Sequence, residues 1–198
     1  MVTTGFSRIH VALYSNVDST VTYSGCRELA RARSMETNVE TTDDNNFYAN
    51  NRLAEQEPAQ FKKGTATVVV DGLDPDEEAF ILGIKATAAS GDGVDEIEYG
   101  DALNPPYVGI GAVKRQQLNS VVSFRPIIFA KSRFAIPSES AKTQEESVSW
   151  QEQPLSATLL RDDTSKHNWK IIPKKNFASE DEAVAWIRKK LNYQEASS

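Results

Sequence analysis

The run from residue 40 to 60 contains four consecutive side chains with hard oxygen ligands. Asp43, Asp44, Asn45 and Asn46 could in principle bind Ca²⁺, which prefers carboxylate and amide oxygens. A calcium loop of the EF-hand type needs ligands at alternate positions, a central glycine and a glutamate at its end. Here the carboxylates are adjacent and the glycine is missing. Since Asp and Asn also form turns, we favour a turn over a metal site.

The two histidines are His10 and His167. In "RDDTSKHNWK", His167 follows Asp162, Asp163 and Ser165, so a Ser–His–Asp relay can be drawn. No nucleophile elbow or oxyanion glycine surrounds these residues, which favours a solvated turn at the end of a strand. His10 lies beside apolar positions.

Other catalytic signatures are weak or missing. The clusters "DPDEEAF" and "GDGVDEIEYGD" could supply paired carboxylates for glycoside hydrolysis, but nothing marks a sugar cleft. The sequence contains no P-loop, dinucleotide fingerprint, H-E-x-x-H motif or Cys/His knuckle. We therefore expect neither an enzyme nor a bound cofactor or metal.

The composition is that of a folded domain. The chain has 198 residues, 39% of them hydrophobic and 25% charged, which suits one domain with a sizeable core. The net charge of −6 disfavours tight binding to DNA phosphates. Cys26 is the single cysteine, which excludes an internal disulfide, and we expect a buried, idle thiol in a reducing cytoplasm. No apolar run reaches the ~20 residues of a membrane helix, so we expect no membrane anchor.

Alternating apolar residues predict several strands. The runs "FSRIHVALYS", "GTATVVVDGL" and "VSWQEQPLSATLLRD" fit this pattern, with Val148 and Trp150 on one face of the last. A hairpin is predicted from "YVGIGAVKRQ" and "VVSFRPIIFAKSRF", which are joined by "QLNS". Gly109 and Gly111 would let another backbone approach closely, and Pro126 indicates an edge or a bulge.

Two helices have clear start and stop signals. Asp74, with Pro75 after it and Glu77 completing a capping box, begins a helix near 75–82 that Gly83 can end. Ser179 and Glu182 form a second box before an amphipathic helix near 180–191. The prediction is a mainly β single domain, 1–198, in which helices flank an antiparallel β-sandwich or barrel. Two polar arms lie near 40–60 and 136–147.

Several long strings resemble the major tail protein family of long-tailed, non-contractile phages, the tail tube proteins found mostly in phages and prophages of Gram-positive hosts. In order, they are "GFSRIHVALYSN", "VTYSGCRELARARSMETNVETTDDNNFYANNRLAE", "GTATVVVDGLDPDEEAFILGI", "PYVGIGAVKRQ" and "SVSWQEQPLSATLLRDDTSKHNWK". The most specific pieces are "DDNNFYANN", "VDGLDPDEEAFILG" and "SWQEQPLSATLLRDD" with "HNWK" after it. The resemblance runs nearly end to end, and Cys26 departs from the family's pattern.

The resemblance implies a structural virion protein. Such a subunit assembles into rings of six that stack into a hollow tube, which forms around a tape-measure protein and conducts DNA into the host. Further partners would be the tail terminator and the distal tail and baseplate proteins. The protein would be assembled in the host cytoplasm and reside in the virion tail, and the family has no catalytic residues.

On this interpretation the polar arms contact other subunits, because aromatic anchors in a polar run are buried only on assembly. The predicted interface residues are Asp43, Asp44, Asn45, Asn46, Phe47, Tyr48, Ser138, Glu139 and Lys142. A conduit for DNA also needs a surface to which phosphates do not stick. Acidic side chains would therefore face the lumen, either Asp92, Asp95, Glu96 and Glu98 or the cluster from Asp74 to Glu78.

Two alternatives stay open. One is a monomeric β-sandwich that binds carbohydrate or protein, with Tyr107, Trp150 and Trp169 as stacking residues, although core packing would also explain aromatic residues on strands. The other is the tube protein of a contractile injection or secretion machine. Glycan titration would test the first, and a sheath partner would mark the second.

Overall fold

The computed structural model describes residues 2–85, 95–138 and 152–194. Within these ranges the chain forms ten strands and two helices. They are β1 (Val2–Val17), β2 (Thr20–Glu28), β3 (Ala32–Thr41), β4 (Asn45–Ala49), β5 (Arg52–Glu57), β6 (Phe61–Val70), α1 (Pro75–Leu82), β7 (Val108–Leu118), β8 (Val121–Phe134), β9 (Gln153–Leu160), β10 (Lys170–Ile171) and α2 (Glu180–Lys190). The predicted mainly β class is confirmed. Val148 and Trp150 lie outside the described residues.

Eight strands form one antiparallel sheet in the order β2-β1-β7-β8-β9-β6-β3, with β10 paired to β8. β1 also contacts β3 near the other edge, so the sheet curls around a core and its two halves face each other, as in a sandwich. The core side chains alternate along the strands, as in Ala66, Val68 and Val70 of β6 or Leu155, Ala157 and Leu159 of β9. This alternation explains why the strands could be found from the sequence.

Helix α1 closes one end of this core with Ile81 and Leu82, both fully buried. Pro75 stands at its start, and Gly83 ends it in the left-handed conformation at φ 70°, as predicted. The prediction of a capping box at α1 was wrong, because the Asp74 side chain makes no capping hydrogen bond. Instead the Asp74 carbonyl oxygen accepts from the backbone N–H groups of Glu77 and Glu78.

Helix α2 covers the other face of the sheet. Its buried residues Ala183, Val184 and Ile187, followed by Leu191, pack against residues of β1, β7 and β8. The Ser179 hydroxyl accepts from the backbone N–H of Glu182 at 3.2 Å, so this predicted cap is confirmed.

The two glycines of β7 make room for α2. A methyl group on Gly109 would lie 2.5 Å from the Tyr23 ring and 2.9 Å from Leu191, and one on Gly111 would overlap Ile187. The close approach was predicted correctly, but side chains rather than another backbone make it. Without glycine at these positions, α2 could not lie this close to the sheet.

Three hairpins turn through two residues that both have positive φ. They are Asp18 and Ser19 between β1 and β2, Asn50 and Asn51 between β4 and β5, and Asn119 and Ser120 between β7 and β8. This pattern is typical of type I′ turns, whose twist matches that of the flanking strands and which Asn and Asp tolerate. The turn of the β7–β8 hairpin is therefore tighter than the "QLNS" segment suggested.

Candidate subunit interface

Residues 42–60 form an arm that extends the β3–β6 hairpin. β3 and β6 pair up to Thr41 and Phe61, and β4 and β5 then pair with each other and with no strand of the main sheet. With five and six residues in its strands, the arm projects by about 20 Å at about 3.3 Å per residue. The "DDNNFYANN" segment is thus neither a calcium loop nor a simple turn, but half of a β-hairpin.

The base of the arm is held by hydrogen bonds across the hairpin. The Asp44 carboxylate accepts from the backbone N–H of Ala59 at 2.7 Å and from the Gln56 side chain at 3.0 Å. The Thr42 hydroxyl accepts from the backbone N–H of Gln60 at 2.9 Å. Asp44, one of the candidate metal ligands, therefore stabilises the base of the hairpin.

Every residue of the arm is exposed in the single chain. Phe47 is 63% exposed, Tyr48 64% and Leu53 51%, although large apolar side chains are normally buried. Tyr48 pairs with Leu53 and Phe47 with Glu55, and a bulge between the two pairs turns them to opposite faces. Both faces of the arm therefore present an apolar side chain to the solvent.

The other predicted interface and lumen residues are only partly described. Ser138 follows β8 and the exposed Ile136, whereas Glu139 and Lys142 lie outside the described residues. Asp95, Glu96 and Glu98 are exposed between α1 and β7, and Asp92 lies outside the described residues. The cluster from Asp74 to Glu78 begins α1, with Asp74 and Asp76 exposed.

Glu77 of this cluster is partly buried and forms an ion pair with β2. Its carboxylate lies 3.8 Å from the Arg27 guanidinium. Burial raises the pKa of Glu77 above its ordinary value, and Arg27 opposes this shift. Glu77 therefore stabilises the contact between α1 and β2 and is a poor candidate for a free luminal charge.

The region around His167 is a loop closed by Asp162. The buried Asp162 carboxylate accepts from the backbone N–H groups of Thr164 and Asn168 and from the Thr164 hydroxyl at 2.7 Å. His167 places its Nδ1 atom 3.3 Å from the Asp162 carbonyl oxygen rather than beside the carboxylate. The possible relay with Ser165, which is exposed, is therefore not assembled.

Asp163 joins this loop to the sheet. Its carboxylate accepts from the Lys131 ammonium at 2.7 Å and from the Tyr14 hydroxyl at 2.7 Å. These two hydrogen bonds lower the pKa of Asp163. A sequence motif that could be drawn as catalytic thus serves to fix the turn after β9.

The candidate stacking residues of a binding module have partners within the chain. The Trp169 ring stacks on Phe61 with 4.6 Å between ring centroids and an interplanar angle of 2°. The Tyr107 ring lies against Tyr14 and has the Arg133 guanidinium 4.2 Å from its centroid. These contacts favour packing within the chain over sugar stacking for both residues. Trp150 lies outside the described residues.

His10 and Cys26 are both buried near α2. Burial lowers the pKa of His10, whose Nδ1 lies 3.1 Å from the Arg8 carbonyl oxygen while its Nε2 accepts from Arg188 at 3.3 Å. Burial also raises the pKa of the Cys26 thiol to about 11. A neutral imidazole and a protonated thiol follow, and the expectation that Cys26 is buried is confirmed.

The end of the β7–β8 hairpin carries a basic cluster that the sequence analysis missed. Lys114 and Arg125 lie opposite each other across the two strands. The Lys170 ammonium is close enough to both that they lower its pKa, after the larger effect of burial. None of the three forms an ion pair with a carboxylate of the described ranges. The positive charge of residues 114–125 could have revealed this cluster, because the segment contains Lys114, Arg115 and Arg125 but no Asp or Glu.

Comparison with known proteins gives no family. No protein-family model matches the chain, and no curated protein shows significant similarity to it. Among residues 2–85, 95–138 and 152–194, no group of three or more His, Cys, Asp or Glu side chains could hold a metal ion. Over the same ranges, no helix is long and apolar enough to cross a membrane.

Proposed function

We propose that this protein is a structural subunit of the tail tube of a long-tailed, non-contractile phage. Copies of the chain assemble into rings of six, and the rings stack into the tube through which DNA passes. The tape-measure protein, the tail terminator and the distal tail and baseplate proteins are the other partners. The subunit is assembled in the host cytoplasm and resides in the virion tail.

The observation that carries the proposal is the exposed arm. A two-stranded hairpin is marginally stable in water on its own, so a projecting arm gains rigidity when a partner covers it. Phe47, Tyr48 and Leu53 are exposed together on this hairpin, which is typical of a surface that is buried on assembly. The mainly β fold with flanking helices is compatible with the same proposal.

Assembly with a direction also needs two different surfaces, because head-to-tail contacts close a ring or extend a filament. The arm leaves one end of the sheet, whereas α1 and the acidic residues 95–98 lie towards the other end, where β6 finishes and β7 begins. The single chain is therefore strongly asymmetric along its strands. The net charge of −6 supports a role in which DNA passes without binding.

Negative-stain electron microscopy of the purified protein over a concentration series, combined with mass from light scattering, tests this function. Rings or tubes with six-fold end views are the expected result. A protein that stays monomeric at every concentration would contradict self-assembly. Saturable binding of a glycan by that monomer would then point to the binding module, and a contracting sheath around the tubes would point to a contractile machine.

A further inference from the structure

The arm and the β7–β8 turn lie at the same end of the sheet. β6 and β8 are both antiparallel to β9, so they run in the same direction. The arm precedes β6 and the turn precedes β8, and each therefore projects from the end at which these strands begin. Copies stacked end to end in one orientation would bring opposite ends together. A contact between arm and turn would instead join copies that lie side by side.

The arm and the turn carry opposite charge. Residues 42–60 contain four carboxylates, Asp43, Asp44, Glu55 and Glu57, against the single guanidinium of Arg52, which gives −3. Residues 114–125 contain three cations and no carboxylate, which gives +3. Opposite patches of this kind guide association and fix its register.

One face of the β7–β8 hairpin combines charge with exposed apolar surface. Lys114 pairs with Arg125 and Leu118 with Val121, and the even spacing along both strands puts all four on one face. Leu118 is 48% exposed and Val121 is 67% exposed. Like charges directly opposite each other destabilise a strand pair, so the single chain carries a cost that a neighbour's carboxylates would remove. We call these four residues the basic face.

One face of the arm has the matching chemistry. Phe47 pairs with Glu55 and Asn45 with Glu57, before the bulge that turns Tyr48 and Leu53 to the other side. A large aromatic ring therefore lies beside two carboxylates, all of them exposed. We call Phe47, Glu55 and Glu57 the acidic face of the arm. Like the basic face, it combines exposed apolar surface with charges of one sign.

We propose that the acidic face of one copy's arm docks on the basic face of a second copy. Phe47 packs on Leu118 and Val121, while Glu55 and Glu57 neutralise Lys114 and Arg125. The proposal rests on the self-assembly proposed above and assigns the arm a receptor. Because both faces lie at the same end of the sheet, this contact joins neighbours within one ring and leaves the stacking of rings to other surfaces.

Charge reversal on each side, and on both sides together, tests the docking. The arm variant is Glu55→Lys with Glu57→Lys, and the receptor variant is Lys114→Glu with Arg125→Glu. Each alone should raise the concentration at which half the protein is assembled by at least about tenfold, as expected for close charge pairs across an interface. The combination should return it to within about threefold of the wild type, because the pairs are restored with exchanged signs.

The control variant introduces two lysines at carboxylates outside the arm. Glu36→Lys with Asp181→Lys alters two exposed carboxylates that belong to neither face. Combined with the receptor variant, it should give no recovery. Thermal unfolding and circular dichroism identify a variant that fails to fold; Lys114→Gln with Arg125→Gln then replaces the receptor variant and should weaken assembly in the same direction.

The outcomes separate docking from assembly. Recovery of assembly when the receptor variant is combined with the arm variant, but not with the control, supports the docking. Rings that persist in either charge-reversed variant, or recovery with the Glu36 and Asp181 control, overturn the docking and leave the proposed tube function unaffected. A wild type that never assembles overturns both. Closed two-fold dimers with the same charge dependence would support the docking and overturn the ring.

Discussion

Replacing Phe47 and Tyr48 by alanine should leave a folded monomer and abolish assembly. Phe47 is 63% exposed and Tyr48 64%, which at about 200 Å² for an aromatic side chain leaves about 125 Å² of each to be buried. At about 25 cal/mol per Å², burying that area contributes about 3 kcal/mol per ring, of which alanine would keep about a third. The double variant would thus lose about 4 kcal/mol, or about a thousandfold in the concentration needed for assembly.

Sedimentation and light scattering over a concentration series would measure this shift, and electron microscopy would show whether rings persist. Monomer stability is the internal control, since both rings are mostly solvated in the single chain and their loss should move its melting temperature little. Lys62→Ala, which truncates an exposed side chain of β6 beside the arm, is the matched variant and should assemble normally. Normal tubes from the double alanine variant would refute the assignment of the arm to an interface.

Three further predictions concern the fold that supports the arm. Gly111→Ala should force Ile187 and α2 away from the sheet and cost about 1–3 kcal/mol by overpacking, seen as a lower melting temperature that Ile187→Leu partly restores. The free energy of unfolding should fall as the pH drops from about 7 towards 5, by up to about 1.4 kcal/mol per pH unit. The reason is that the pKa of His10 is lowered in the folded chain, so the unfolded chain binds a proton first. His10→Gln should flatten this slope in urea titrations at each pH. Asp162→Ala should leave three donors of its loop without their acceptor and cost about 1–3 kcal/mol in the same titration.

The helices could be predicted nearly to the residue because their signals are local. Pro75 and Gly83 bound α1, and Ser179 precedes α2. A backbone conformation that only certain residues adopt easily is readable without knowledge of the rest of the fold. The Asp74 side chain shows the limit of this reasoning, since a residue type that favours a cap need not form the hydrogen bond.

The arm could not be recognised as a hairpin because strand prediction depends on a buried face. In β6 and β9, core residues alternate with exposed or half-buried ones and the period is visible. In β4 and β5 every side chain is exposed, so neither strand needs apolar residues at alternate positions and no period is visible. The remaining local signal was the pair Asn50 and Asn51, which turns the hairpin with positive φ.

The basic face could not be predicted from the sequence, for a different reason. Lys114 and Arg125 are eleven positions apart in the sequence, and only the register of β7 against β8 brings them together. Gly109 and Gly111 similarly showed that something approaches closely, but not that a helix some eighty residues later in the sequence does so. Contacts of long sequence separation are decided by the fold and not by local pattern.

The buried thiol of Cys26 makes the protein convenient to label. It is the single cysteine and is 8% exposed, and with a pKa of about 11 about one thiol in a thousand is ionised at pH 8. A cysteine introduced at an exposed arm position such as Ala54 would therefore react with a maleimide dye far faster than the native thiol. One added cysteine is thus enough to follow assembly by fluorescence, and Cys26 can stay in place.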